Sequence, residues 1–349
     1  MKRKYLFFIS QDYSYPILRP LEDEIKKRGD EVKWFLYGNE IDYDKLRDDE
    51  KRVFSVDEIK SYNPDAVFVP GNVVPSFIPG YKIKLFHGLP SKKSKNGVIF
   101  HFTIRGMFDL YCTESPYSTQ RFVELEKKHK NFCVKETGWC KLDPLFENIT
   151  NKDEKSKKQI FFASTFSPRF TKAAFLYPII KELVEKGDYN WHITLHPKMN
   201  QKTKQLYMNL CKKSKNAIYI DPVDIISSLK SSNLMICDTS SIMYEFLVQL
   251  KPVIAFQTHV KEPYLYLVDD KDKIEDSIYE IFQYGAKKID KYKNEIEAIY
   301  PYTNPNSSKR VLDATENMIY GKLCTRKTKP LNLIRNFKLR KELNYWKFW

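Results

Sequence analysis

The sequence predicts an α/β protein of two halves, each a parallel sheet flanked by helices. Short apolar runs alternate with amphipathic helical stretches over most of the 349 residues. The polar segment Asn148 to Lys158, NITNKDEKSKK, breaks that alternation, which then restarts. The length also suffices for two domains of ordinary size, each with its own core. The expected division is an N-terminal α/β domain over residues 1–150, a second α/β domain over 151–320, and a basic, aromatic tail over 321–349.

In the first half Tyr5 to Ser10 reads as a strand, Pro16 to Arg28 as a helix closed by Gly29, and Val32 to Tyr37 as a second strand. Asp57 to Ser61 is a brief helix, Ala66 to Val69 a third strand, and Lys84 to Phe86 a fourth that ends in His87-Gly88-Leu89-Pro90. Val98 to Thr103 and Leu110 to Thr113 follow as strand pieces. Ser115 or Ser118 opens a helix that runs through Lys128, and Asn131 to Lys135 leads into Gly138-Trp139-Cys140-Lys141.

In the second half the strands are Gln159 to Ala163, Trp191 to Leu195, Ala217 to Ile220, Leu234 to Cys237 and Val253 to Phe256. Helices are expected over Lys172 to Lys186, Gln201 to Lys213 and Asp224 to Lys230, and the signals past Lys273 are mainly helical. The apolar run Leu234 to Cys237 suits a strand buried on both faces. Asp238, Thr239, Ser240 and Ser241 come next, then Ile242, Met243, Phe246, Leu247 and Leu250 at helical spacing. A helix opening past a strand end offers unpaired N–H groups, and the hydroxyls beside them suit the turn to phosphate. Thr239 or Ser240 reads equally as a plain helix cap, since caps favour the same residue types.

Composition narrows the chemistry. Only 11 glycines are present, and no Gly-rich dinucleotide or P-loop string occurs. A net charge of +15 favours an anionic partner: nucleic acid, an acidic membrane surface or a phosphorylated substrate. The six cysteines form no C-x-x-C pair and read as reduced core residues of a cytoplasmic protein. The N-terminal apolar run Tyr5 to Ile9 is too short for a signal peptide, and no 18-residue apolar run occurs.

Candidate site residues fall at strand ends, where parallel sheets hold ligands. His87 follows one strand of the first half, and His196, with Pro197 and Lys198, follows Trp191 to Leu195. Ser164 and Thr165 follow Gln159 to Ala163. Imidazole suits proton transfer near neutral pH, and a cleft between the halves would bring the two histidines together. His101, His129, His192 and His259 read as structural or surface residues, and no metal-ligand spacing joins any of the six.

Five segments carry a family resemblance: F-H-G-L-P-S-K (86–92), G-W-C-K-L-D-P-L-F (138–146), A-S-T-F-S-P (163–168), L-H-P-K (195–198) and D-T-S-S-I-M-Y-E-F (238–246). Together they resemble the bacterial CDP-glycerol glycerophosphotransferases, which make or prime the poly(glycerol phosphate) of teichoic acids and some capsules. Cys140 and Lys141 stand where that family often has proline and arginine. The resemblance implies two Rossmann-like domains facing a cleft, the glycosyltransferase-B architecture, with the donor's CDP held mainly by the C-terminal half. It implies no cofactor and no metal.

The implied reaction is attack by an acceptor hydroxyl on the β-phosphorus of CDP-glycerol, with release of CMP. In that scheme His87 is the general base and His196 assists the departing CMP. Ser164, Thr165, Lys198, Asp238, Thr239, Ser240 and Ser241 surround the donor, and Glu245 accepts hydrogen bonds from the ribose, although an exposed helix charge is its plain alternative. Lys92 and Lys141 meet acceptor phosphates. A sugar-nucleotide glycosyltransferase or an epimerase of the same architecture remains a rival, because hydroxyls at a helix end recognise pyrophosphate rather than what hangs from it. A non-enzymatic binder of an anionic polymer is the second rival. Nucleic acid is not expected, since the basic residues follow no known nucleic-acid module.

The tail, KLCTRKTKPLNLIRNFKLRKELNYWKFW, interleaves nine Lys or Arg with aromatic residues against a single acid, Glu342. That mixture suits an anionic membrane surface. Leu333, Phe337 and Leu343 could equally dock on the first domain. The expectation is a peripheral protein on the cytoplasmic face of the membrane, meeting a lipid-linked or polymeric acceptor.

Overall fold

The computed structural model describes residues 2–89, 100–147, 157–324 and 326–347. The chain forms two compact units, Met1–Pro144 with Tyr302–Trp349, and Leu145–Pro301. The first holds seven parallel strands: β1 (Lys4–Gln11), β2 (Glu31–Glu40), β3 (Arg52–Val53), β4 (Ala66–Val69), β5 (Tyr81–Lys84), β6 (Leu110–Thr113) and β7 (Cys133–Glu136), in the order β3-β2-β1-β4-β5-β6-β7. The second holds β8 (Gln159–Ser164), β9 (Asn190–Leu195), β10 (Ala217–Tyr219), β11 (Leu234–Cys237), β12 (Val253–Phe256) and β13 (Tyr266–Val268), in the order β10-β9-β8-β11-β12-β13. These pairings are parallel too.

Near-continuous apolar strands are buried on both faces, as parallel sheets require. Trp34 packs edge-on against Phe7 at 4.7 Å in the first unit, and Trp191 is fully buried in the second. Burying each such side chain stabilises its unit by about 1.5–3 kcal/mol. Helix ends follow the expected chemistry. The Ser115 hydroxyl accepts from Ser118 N at 3.4 Å and caps the helix Pro116–His129. Asn200 caps Gln201–Lys213 by accepting from Lys202 N at 2.9 Å and Thr203 N at 3.3 Å. Gly187, at φ +79°, closes Ala173–Lys186 in the left-handed region.

Four expectations need correction. The strand expected over Lys84 to Phe86 is β5, Tyr81–Lys84, so His87 lies three residues past its end. A strand that buries two lysines defies ordinary patterning, but here each ammonium finds carbonyls. Lys82 Nζ donates to Ile78 O at 2.7 Å and Gly80 O at 2.5 Å, and Lys84 Nζ to Pro70 O and Gly71 O, both at 2.6 Å. Of the strand expected over Val98 to Thr103, residues up to 99 lie outside the described ones, and Phe100–Phe102 is a 3-10 turn. The short strand β13 was absent from the sequence reading.

The domain boundaries change as well. Residues from Tyr302 onward return to the first unit, so 302–320 does not belong to the second domain as expected, and the tail takes the alternative of docking on the first. The Asp143 carboxylate explains the return. It accepts from Ser307 N at 2.9 Å and Ser308 N at 2.7 Å, capping the helix Ser307–Ile319 from a residue far away in sequence. Arg28 then reaches Asp313 at 2.8 Å and Glu316 at 3.1 Å, and Leu339 and Tyr345 enter the core around Phe8, Phe35 and Val69.

Cysteine usage is the fourth correction. Cys133 and Cys324 form a disulfide, Cα to Cα 6.0 Å, across a separation of 191 residues that no local spacing reveals. Cys112, Cys140 and Cys237 are buried free thiols, and Cys211 is a partly buried one. Among the described residues no helix is long and apolar enough to cross a membrane.

Candidate active site

In each sheet the strand order reverses direction once, and the loops diverge there to leave room for a ligand. In the second unit that point lies between β8 and β11, and Asp238, just past β11, binds the two strand ends together. Its carboxylate accepts from Thr165 N at 2.9 Å and Lys172 N at 3.0 Å, and from the Ser164 hydroxyl. Burial pushes the Asp238 carboxyl above its usual range, against these three donors. Ser164 also meets the Thr171 hydroxyl at 3.1 Å. Asp238 and Ser164 are thus engaged with each other and with the loop after β8, and they shape the turn from beneath.

Thr239 is buried and turned toward the loop after β12, with its hydroxyl 3.3 Å from that of Thr258 and 3.4 Å from His259 N. Ser240 is half-buried and Ser241 exposed at the start of the helix Ile242–Leu247. Glu245 is only 8% exposed, so the plain reading of an exposed helix charge does not hold.

His196 lies directly after β9, its ring 4.2 Å from that of Phe166. Lys198 N donates to His196 Nδ1 at 3.1 Å. An Nδ1 that accepts leaves the neutral ring's proton on Nε2, so His196 presents an N–H donor there. Beside it opens a cavity of about 580 Å³ whose lining includes Phe166, Thr171, Lys172, Phe175, Asn200 and Gln257. Apolar rings with a few amides and hydroxyls suit a flat polar base.

His87 in the first unit has the opposite polarity. Its Nδ1 lies 3.3 Å from Pro70 O, a carbonyl that can only accept, so the proton is on Nδ1 and Nε2 carries the lone pair. The residue is exposed, with Tyr13 packed on the ring at 4.9 Å. The protein packed around the ring, and then the Lys84 ammonium, hold the imidazolium down to about 4. Burial likewise lowers Lys84, to about 7. Trp139 Nε1 donates to Phe86 O at 2.8 Å and fixes the backbone before His87, while the Lys141 ammonium sits over the Trp139 ring at 5.2 Å. Lys92 lies outside the described residues.

The structure therefore joins Ser164, Thr165 and Asp238 directly, sets His196 with Lys198, and places Lys141 near the His87 segment. Sequence reasoning missed Lys84, Tyr13 and Phe166. An aromatic ring offers no sign of where it will stack, but a lysine inside a strand pattern is a usable signal. His101 is held by Glu114 at 3.0 Å and stacks on Phe86 at 4.7 Å, in line with its structural reading.

Two Rossmann-like units, each with candidate residues at the carboxyl ends of a parallel sheet, make up a fold of the glycosyltransferase-B kind. Residues 104–317, more than half of the chain, match the family CDP-Glycerol:Poly(glycerophosphate) glycerophosphotransferase, and the chain belongs to it. A curated relative is the minor teichoic acid biosynthesis protein GgaB of Bacillus subtilis (strain 168), 24% identical over an alignment of 149 residues that covers 38% of this chain and 16% of that protein. The match thus spans about a sixth of GgaB. Among solved structures, a variant of the wall teichoic acid polymerase TagF is 15% identical with a TM-score of 0.62, over 92% of this chain and 90% of that one. The UDP-GlcNAc 2-epimerase of Neisseria meningitidis bound to UDP-GlcNAc is 16% identical with a TM-score of 0.56, over 89% and 98%. At these identities the likeness is one of fold.

Proposed function

We propose that this protein transfers glycerol phosphate from CDP-glycerol to a hydroxyl of a lipid-linked or polymeric acceptor and releases CMP. The observation that carries the reading is the opposite polarity of the two strand-end histidines. The acceptor hydroxyl gives its proton to His87 Nε2 as its oxygen bonds to the β-phosphorus. The bond from that phosphorus to the bridging oxygen breaks, and His196 Nε2–H stabilises the negative charge arriving on CMP. An imidazole whose protonation is held down to about 4 is in its basic form throughout the neutral range.

Ser240 and Ser241 contact the pyrophosphate, while Thr165 and Lys198 stand at the same edge. Glu245 takes the ribose and the cavity beside His196 the cytosine. Asp238, Ser164 and Thr239 hold these groups in place rather than touch the donor, and Lys141 serves the acceptor's phosphates. CMP release from CDP-glycerol, against a panel of UDP-sugars, tests the reading. Turnover of a UDP-sugar in place of CDP-glycerol would replace it with the glycosyltransferase or epimerase alternative.

The tail supports a membrane-facing location. The helix Leu333–Glu342 buries Leu339 and leaves Leu333 (71%), Ile334 (76%) and Phe337 (59%) exposed beside Arg335, Lys338 and Lys341. Exposed apolar side chains rimmed by cations suit anionic headgroups, each cation contributing about 1 kcal/mol at low salt. Because Leu339 and Tyr345 belong to the core, substitution tests this better than truncation. Ile334→Asn with Phe337→Asn is expected to abolish sedimentation with phosphatidylglycerol vesicles and to leave CMP binding intact. Unchanged sedimentation removes the tail from membrane contact.

A further inference from the structure

The first sheet reverses its strand order between β1 and β4, and a cavity of about 260 Å³ opens there. Its lining includes Ser10, Tyr13, Tyr37, Asn72 and, from the returning tail, Glu342, over an apolar floor that includes Phe8. The setting matches that of the Asp238 turn in the second unit, so the fold offers a second ligand position. Its chemistry differs. The lining contains no Lys or Arg. The ammonium of nearby Lys84 is spent on the carbonyls of Pro70 and Gly71.

The polar side chains in the crevice are hydroxyls, the amides of Gln11 and Asn72, and a carboxylate. Ser10, Tyr37 and Glu342 line the same cavity, and burial, together with the Glu342 charge, raises Tyr37 to about 12 against a hydrogen bond with Ser10. Burial raises the Tyr13 phenol as well, with Tyr37 and Glu40 adding to it, so both phenols remain protonated donors across the working range. A phosphate placed here would face Glu342 with no cation in the lining, whereas a polyol or sugar would find donors, acceptors and two aromatic rings. The crevice adjoins His87, whose ring lies against that of Tyr13 at 4.9 Å.

We propose that this crevice binds the terminal neutral polyol or sugar unit of the acceptor through Ser10, Tyr37 and Glu342, leaving the acceptor's phosphates outside. The place in the reaction rests on the transferase reading; the binding itself does not. The tail thereby forms part of a binding site, since Glu342 reaches the crevice only because Leu339 and Tyr345 anchor its helix.

Saturation-transfer NMR on the intact chain tests this with glycerol, the methyl glycoside of N-acetylglucosamine, and glycerol 3-phosphate as probes. The expected result is transfer to at least one neutral probe and little to glycerol 3-phosphate. Tyr37→Phe and Glu342→Gln should each reduce the neutral signal by roughly fivefold, the effect of one lost hydrogen bond. CMP affinity and melting temperature should hold in both variants, which excludes misfolding. The assignment is overturned if no neutral probe receives saturation, if glycerol 3-phosphate receives as much, or if both variants match the unaltered chain. Should neutral probes bind while neither CMP nor CDP-glycerol does, the crevice stands and the transferase reading falls.

Discussion

The two strand-end candidate sites are built alike, and their histidines are polarised oppositely. Both occupy the reversal point of a parallel sheet, both carry a histidine in a loop after a strand, and both hold that histidine against an aromatic ring. In the first unit Nδ1–H donates a hydrogen bond to a carbonyl, and in the second Nδ1 accepts one from a backbone amide. A single backbone contact therefore decides which ring nitrogen carries the proton, a difference that two identical letters in the sequence do not show.

Removing the two imidazoles should break this contrast most severely. His87→Ala and His196→Ala are each expected to lower kcat on the order of a hundredfold or more, with the fold retained. Near-normal turnover at saturating donor in either variant would strip that histidine of its role.

Asp238→Ala comes next. It leaves Thr165 N, Lys172 N and the Ser164 hydroxyl without their acceptor, which costs about 1–3 kcal/mol for each buried group left unpaired. CMP affinity measured by calorimetry should fall roughly tenfold, the effect of about 1.4 kcal/mol. His87 Nδ1 should remain unperturbed by NMR. Unchanged CMP affinity would show that the turn does not depend on its carboxylate.

The finest test concerns Lys84. Lys84→Met removes a positive charge that disfavours the His87 imidazolium, so the His87 titration midpoint should rise from about 4 when followed by NMR. The rate at pH 5 should then drop relative to the rate at pH 8. A midpoint that does not move would remove Lys84 from the causes and leave burial and His101 to account for the shift.

His87 also links stability to pH. Its folded value lies below the ordinary 6.5, so between 6.5 and about 4 the unfolded chain binds the proton and the folded chain does not. This contribution to stability is fully present above 6.5 and is lost as pH falls through that window. Chemical denaturation at pH 7 and pH 5 should show a smaller acid loss for His87→Gln than for the unaltered chain.

Much of the fold was legible because parallel strands are apolar on both faces and helices are not. The runs Leu234 to Cys237 and Val253 to Phe256 emerge as β11 and β12 with the same ends. The signal failed where burial and polarity part company. Lys82 and Lys84 sit inside a strand because loop carbonyls happen to meet their ammonium groups. Asp143 and the disulfide act over separations that no window spans. For the candidate site the residue types were legible but their contacts were not: Asp238, Ser164 and Thr239 have the residue types of ligand groups, yet they bond to one another's loops.

The return of residues 302–349 to the first unit has a consequence for how the chain is made. The second unit is contiguous and can complete its sheet while the ribosome is still adding residues. The first must wait with β1 to β7 already emerged, because the helix that Asp143 caps, the Cys324 thiol, and Leu339 and Tyr345 arrive last. The half synthesised first thus finishes folding last. Its apolar sheet stays partly uncovered throughout the synthesis of its neighbour, so premature termination near the end should yield an aggregating first unit and a folded second one.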